Sequence, residues 1–161
     1  MLQYTLCFIR DGDRLLMLRR RFKPFPGQLN GVGGKIEPGE TPLACVLREV
    51  EEETGVVLQA ARFGGIVTWT GFTLGPSGMY VYLASLPTGS GCSAGETPEG
   101  TLEWQSIADV LALRYGVVTN IPPFLGPMLA GAEPAEYAYR YAGDEMLGWE
   151  VRPLPAWAAA D

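Results

Sequence analysis

Residues Gly33–Val56 read GGKIEPGETPLACVLREVEEETGV, and this stretch decides the fold. Two glycines open it, and Pro38-Gly39 marks a tight turn. A helix should follow. Thr41 suits its N-cap, Pro42 its first position and Gly55 the left-handed position that ends it. At about 100° per residue, Leu43, Val46, Leu47 and Val50 form the stripe of a core-facing helix. Glu49, Glu52 and Glu53 share another side, while Glu51 points elsewhere. Like charges at that spacing repel. A solvated acidic face is the ordinary use of such a run. Three carboxylates converging beside the core also suit a hard divalent cation, which would offset the repulsion. Arg48 lies in the same turn and can hold one carboxylate in place. Gly33-Gly34 allow close backbone approach, so a carbonyl there could add an oxygen ligand. Lys35 puts positive charge where a phosphate would lie.

The rest of the chain narrows the chemistry. Its 161 residues suit a single domain, 1–161, with 154–161 as a C-terminal tail. It is 47% hydrophobic and 19% charged, a globular composition. A net charge of -6 argues against a non-specific binder of nucleic-acid polymer or membrane, but not against a phosphate substrate met through a metal. No run is long enough to span a bilayer. MLQYTLCFIRDGD at the start reads as a strand entering a turn, not a signal peptide. Cys7, Cys45 and Cys92 lack CxxC spacing, and a reduced, cytoplasmic chain is expected. There is no histidine. Histidine-based triads and zinc sites are therefore excluded, and acid–base work falls to Asp, Glu, Lys, Tyr or Cys. A metal site would be oxygen-rich, favouring Mg²⁺, Mn²⁺ or Ca²⁺.

The coarse element order is mixed α+β. YTLCFIR and RLLMLRRR flank the turn Asp11–Asp13 as a hairpin. FKPFPGQ is a loop. VVLQAARFGGIVTWTGF and GMYVYLASLP have strand composition and should pair. TGSGCSAGETPEG reads as a loop, TLEWQSI as a strand, ADVLALRYG as a short helix. PPFLGPMLAGA reads as a second helix, or a broken one given Pro127. EYAYRYAGDEMLGWEVRPLP reads as a final hairpin about Gly143-Asp144.

Written with its gaps, the opening stretch is Gly34, five residues, Glu40, seven residues, then Arg48-Glu49-Val50-Glu51-Glu52-Glu53-Thr54-Gly55-Val56. This matches Gx5Ex7REUxEExGU, U being apolar, at every specified position, and so the chain resembles the Nudix hydrolases. The resemblance implies an α/β/α sandwich around a mixed sheet, with the box as loop–helix–loop. It implies hydrolysis of a nucleoside diphosphate linked to another group, with Mg²⁺ or Mn²⁺. Carried onto this sequence, the metal ligands would be Glu49, Glu52, Glu53 and the Gly33 carbonyl. Glu40 would be an accessory carboxylate beside Gly34, and Arg48 an orienting partner. The general base would be Glu52 or Glu53, or a carboxylate on a distant loop that ligates metal or acts as base in MutT-type enzymes. In PEGTLEW, Glu99 fits that place better than Glu96 or Glu103; an ordinary loop glutamate is the alternative.

The lead-in RRRFKPFPGQLNGVGGK resembles MutT-type enzymes acting on oxidised purine nucleoside triphosphates such as 8-oxo-dGTP. Asn30 takes the place of their purine-contacting asparagine, although Leu29 replaces the tryptophan before it. Asn120, in VVTNIPPFL, is a second candidate, and a helix or turn cap is its alternative use. A pair of adjacent aspartates found in some relatives is missing there. Phe22, Phe25, Trp69, Phe72, Tyr80 and Phe124 could stack on a base or simply pack. The expected activity is hydrolysis to monophosphate and pyrophosphate, a nucleotide-pool sanitation linked to DNA repair. Other Nudix substrates, including ADP-ribose or dinucleoside polyphosphates, and a non-catalytic nucleotide-binding module remain open. Homodimers are common in the family, and a homodimer is an open expectation here.

Overall fold

The computed structural model describes residues 2–159. Two strands form the expected first hairpin, β1 (Tyr4–Asp11) and β2 (Arg14–Arg20), and β3 (Leu29–Asn30) pairs with β2. The box helix α1 (Pro42–Thr54) follows. Next come β4 (Arg62–Phe72), β5 (Ser77–Ser85), β6 (Gly95–Thr97) and β7 (Gly100–Ser106). Two helices, α2 (Ile107–Leu111) and α3 (Ile121–Leu129), precede the closing hairpin β8 (Ala135–Gly143) and β9 (Glu145–Pro153). The sheet order is β6-β7-β2-β1-β5-β4-β8-β9. The β1–β5 and β4–β8 pairs are parallel and the others antiparallel, so the sheet is mixed.

Period-two alternation divides the strand side chains between two cores. Leu6, Phe8, Leu15 and Met17 face α2 and α3 with Val110, Ile121, Phe124 and Leu125. Cys7, Ile9, Leu16 and Leu18 face α1 with Val46 and Val50. The architecture is the α/β/α sandwich that the box implied, of mixed α+β class. Helix α1 is bounded as its end residues dictate. Thr41 is the N-cap, its side chain accepting from the Ala44 amide at 3.1 Å. Gly55 adopts φ 76 and its amide donates to the Glu51 carbonyl.

Three local expectations change, and of the two readings of the segment around Pro127 the single helix is the one found. Strand β4 begins at Arg62, so residues 56–61 lie outside it and Val57 is exposed. The loop after β5 contains β6, because β7 offers it an antiparallel partner. Helix α3 runs through Pro127 without a break; the proline sits in the last turn, where only one ladder bond is lost. The segment expected as a tail from 154 packs on the α1 side: Ala156–Ala158 forms a 3-10 turn and Ala158 is fully buried. Residues 160 and 161 of that tail lie outside the described residues.

Phe124 anchors α3, its ring 6.0 Å from Phe8 and 6.2 Å from Tyr137. Phe124→Ala is expected to lower unfolding free energy by about 3–5 kcal/mol, measured by urea denaturation.

Candidate active site

The box loop is laid against β1 by backbone bonds. The Thr5 amide donates to the Gly34 carbonyl at 2.9 Å, and the Cys7 amide to the Val32 carbonyl at 2.6 Å. In an antiparallel ladder the residue between turns its own polar groups the other way. Gly33 therefore directs its carbonyl away from β1. Both glycines are sterically required. A Cβ on Gly33 would overlap the Thr5 carbonyl, and one on Gly34 would overlap the Glu49 carboxyl.

Arg48 organises the acidic residues. Its guanidinium donates twice to Glu40, at 2.7 and 2.9 Å, a charge-assisted fork. It also meets Glu49 at 2.7 Å, Glu52 at 3.3 Å and the Lys35 carbonyl at 3.2 Å. Glu40 additionally accepts from the Glu37 amide at 3.0 Å. The Arg48 bond, with the backbone bond adding to it, holds the Glu40 carboxyl down at about 2. Lys35 itself is exposed, and its carbonyl serves Arg48.

The carboxylates are not gathered as their spacing suggests. Among the described residues no three acidic, histidine or cysteine side chains stand close enough together to hold a metal as they are. The reason is Arg48: it draws Glu49 and Glu52 toward itself, and the Glu52 side chain is 59% exposed. Glu53 makes no bond to Arg48; it lies beside Glu49 and is mostly buried. Burial, then the carboxylates of Glu49 and Glu99, push it up to about 8. Its Oε2 is buried with no hydrogen-bond partner. A buried, unpartnered carboxylate oxygen facing other carboxylates fits a hard divalent cation. So does the all-oxygen donor set of Glu49, Glu52, Glu53 and the Gly33 carbonyl.

The distant-loop candidates also separate. Glu96 is paired with Arg21 at 2.8 Å, and Glu103 with Arg19 at 2.5 Å. Glu99 is in neither pair and lies near enough to act on Glu53. Arg20, unremarked in the sequence beyond its place in a basic run, is a further site residue. Burial pulls its guanidinium down, while Glu53 and Glu99 act against that. It donates to the Pro24 carbonyl at 2.6 Å and the Lys23 carbonyl at 3.2 Å. Strand parity could have found it: Arg20 continues the face of Leu16 and Leu18, the α1 side where Glu53 sits.

The two asparagines occupy different settings. Asn30 lies across from Leu18 and accepts the Gly31 amide at 2.8 Å, a local turn bond. Asn120 is buried at the N-cap of α3, but its side chain makes no cap bond. Its carbonyl accepts the Tyr139 hydroxyl at 2.6 Å, and its side chain bonds Tyr141. Beyond it runs an aromatic chain: Tyr141 meets Phe72 edge-on at 5.1 Å, and Phe72 meets Phe25 at 5.7 Å. Of the other aromatic candidates, Tyr80 and Phe124 are core, Trp69 donates to the Gly75 carbonyl at 3.1 Å, and Phe22 is exposed.

A mixed-sheet α/β/α sandwich with an acidic loop–helix–loop defines the class. The chain belongs to the NUDIX domain family, whose model matches residues 3–125. It is 31% identical over 110 residues to the Nudix hydrolase YvcI of Bacillus subtilis, covering 66% of each chain. It is 34% identical over 58 residues to an ADP-ribose pyrophosphatase of Methanocaldococcus jannaschii, covering 36% of this chain and 34% of that one. The chain thus spans less than two thirds of these curated relatives. The crystal structure of a mutator MutT protein from Bacillus halodurans superposes with a TM-score of 0.76 at 27% identity, covering 96% of this chain and 100% of that one.

Glu40 supplies a pH test. Its folded carboxyl titrates at about 2, below its ordinary value of 4.5. The pairing therefore stabilises the fold above about pH 4.5 and is lost as pH falls toward about 2. Glu40→Gln should unfold more readily than wild type near pH 6. The difference should close near pH 2, read by urea denaturation at both pH values.

Proposed function

We propose that the protein is a metal-dependent hydrolase of (deoxy)nucleoside triphosphates, with oxidised purine nucleotides such as 8-oxo-dGTP as its favoured substrates, yielding monophosphate and pyrophosphate. The observation that carries this is the buried Glu53 oxygen without a partner, beside Glu49 and Glu99 and opposite Arg20. Glu49, Glu52, Glu53 and the Gly33 carbonyl would hold Mg²⁺ or Mn²⁺, with Glu99 as a further ligand or base. The metal, when bound, neutralises the pyrophosphate and activates water. Arg48 orients Glu49 and Glu52, and Glu40 keeps Arg48 in place. Arg20 adds a cation on the acidic side. Glu52 or Glu53 takes the proton from the attacking water.

The nucleoside reading rests on Asn30 and Asn120. An amide side chain can both donate and accept on a purine edge. Asn120 backs an aromatic wall of Tyr141, Phe72 and Phe25. The lead-in through Asn30 and the full-length likeness to the Bacillus halodurans protein support the triphosphate reading. A second reading, hydrolysis of ADP-ribose, is favoured by the similarity to the Methanocaldococcus jannaschii enzyme. The protein works on its nucleotide in the reduced cytoplasm, alone or as a homodimer.

A steady-state panel with Mg²⁺ tests the reading: 8-oxo-dGTP, dGTP, the other common nucleotides, ADP-ribose and a dinucleoside polyphosphate, with products separated by chromatography. The expected result is the highest kcat/KM for the oxidised purine, with pyrophosphate released. Preference for ADP-ribose overturns the substrate and keeps the metal site. Glu52→Gln and Glu53→Gln should each lower kcat by about 10²-fold or more; activity that survives both overturns the assigned site. Asn120→Ala should cost the oxidised purine about tenfold in kcat/KM, more than it costs dGTP.

A further inference from the structure

Arg19 is the first of three consecutive arginines, and four of its five N–H donors are engaged. Its Nε and Nη2 grip Glu103 of β7 at 2.5 and 3.0 Å. Its Nη1 donates to the Gly27 carbonyl and to the Tyr115 carbonyl, both at 3.0 Å. One side chain therefore joins β2 and β7 to two loops far apart in sequence, 22–28 and 113–116.

Both loops hold strained backbone. Among the described residues, the non-glycine positions with positive φ are Phe25 at 61°, Leu113 at 59° and Tyr115 at 59°. All three lie in the loops Arg19 bonds. A bulky residue in the left-handed region costs about 1–3 kcal/mol and persists only where its surroundings fix it. Glycines stand beside them, Gly27 and Gly116, yet the strained positions carry Phe, Leu and Tyr. Leu113 and Tyr115 are exposed, so core burial does not supply the missing energy.

Both loops border the site. The carbonyls of Lys23 and Pro24 take the Arg20 guanidinium, which lies near Glu53 and Glu99. Phe25 of the same loop meets Phe72, and through it the wall at Tyr141 and Asn120. The second loop runs into Val117 and Val118. Val117 bridges Leu29, and the Val118 amide donates to the Leu29 carbonyl at 3.0 Å. Leu29 is itself the residue paired with Arg19, one position before Asn30.

We propose that Arg19 is a positioning residue: with Glu103 it clasps the 22–28 and 113–116 loops in their strained form and so shapes the wall that receives the nucleoside part of a nucleoside phosphate. The inference rests on the nucleotide reading above. Four of the five N–H donors of Arg19 are taken by Glu103, Gly27 and Tyr115, so it acts through the loops.

Two readouts test it on the full chain. The first is hydrogen exchange without substrate. In Arg19→Lys the amides of Phe25, Gly27 and Leu113–Gly116 should exchange about tenfold faster, a local loss of about 1.4 kcal/mol, while α1 stays protected. Lysine cannot reproduce a planar fork with two further donors. Glu103→Gln, a milder change, should loosen the same amides less. The second is steady-state kinetics. Arg19→Lys should raise KM about tenfold and leave kcat within about twofold. Arg19→Lys/Leu113→Gly should recover part of that affinity, because glycine holds the left-handed conformation without a clasp. Unchanged loop exchange in a protein that turns over nucleotide overturns the clasp. A fall in kcat with KM unmoved overturns the positioning role and puts Arg19 in the chemistry. A wild type that hydrolyses no nucleotide overturns the reading of the site instead, and is seen before any variant is made.

Discussion

The acidic site depends on one cation, Arg48. Glu40 comes from the box loop, while Glu49 and Glu52 come from α1, and all three reach the same guanidinium. The Lys35 carbonyl joins them. Loop and helix are thus tied to each other through one planar group as well as through the core that Val32 and Ile36 share with Val46 and Val50. Glu40 and Glu49 side chains are only 13% and 14% exposed. Removing Arg48 would leave two partly buried carboxylates facing each other without a partner, a far larger penalty than the loss of a surface pair. The absent side chain of Gly34 belongs to the same constraint, since the Glu49 carboxyl lies where its Cβ would be.

What the sequence made legible follows from how local each signal is. The ends of α1 are set by Thr41, Pro42 and Gly55 themselves, with no help from the rest of the chain, and they fall where those residues place them. The first hairpin likewise follows from its own alternation. Strand β6 is different. Gly95–Thr97 has little strand propensity of its own and exists because β7 lies beside it. The burial of Ala158 was equally invisible, because an alanine-rich end gives no sign of which surface will receive it. In the site, the box fixed which carboxylates would be near one another. It did not show that Arg48 would take up Glu49 and Glu52 and leave Glu53 buried with an oxygen unpartnered, since that turns on side-chain direction, not on spacing.

The run Arg19-Arg20-Arg21 shows how much a strand's parity can decide. All three have the same charge and adjacent positions, yet they do three things. Arg20 lies on the α1 face with Leu16 and Leu18 and meets the acidic side. Arg19 continues the face of Leu15 and Met17 and turns to Glu103 and the two loops. Arg21, just past the strand, forms an exposed pair with Glu96. Composition counts these as equal contributions to net charge. The pleat of β2 makes one a site cation, one a clasp and one a solvated surface residue, whose pairing contributes little.

The same division separates chemistry from selectivity. The carboxylates, Arg48 and the paired glycines lie within the one stretch 33–56, so on the proposed reading a relative sharing that stretch would share the means to hold a metal against a pyrophosphate. The wall proposed to receive the nucleoside is assembled differently. Phe25 comes from the loop after β2, Phe72 from the end of β4, Asn120 from the head of α3 and Tyr141 from β8. Four separate segments meet there, and three of them lie outside the loop that holds Arg20 beside the acidic face. A short match centred on the box therefore carries information about the proposed bond cleavage and little about the base. On the proposed reading the wall would carry the substrate preference, and Arg19, on the same α3 side of β2, would hold its shape through Gly27 and Tyr115.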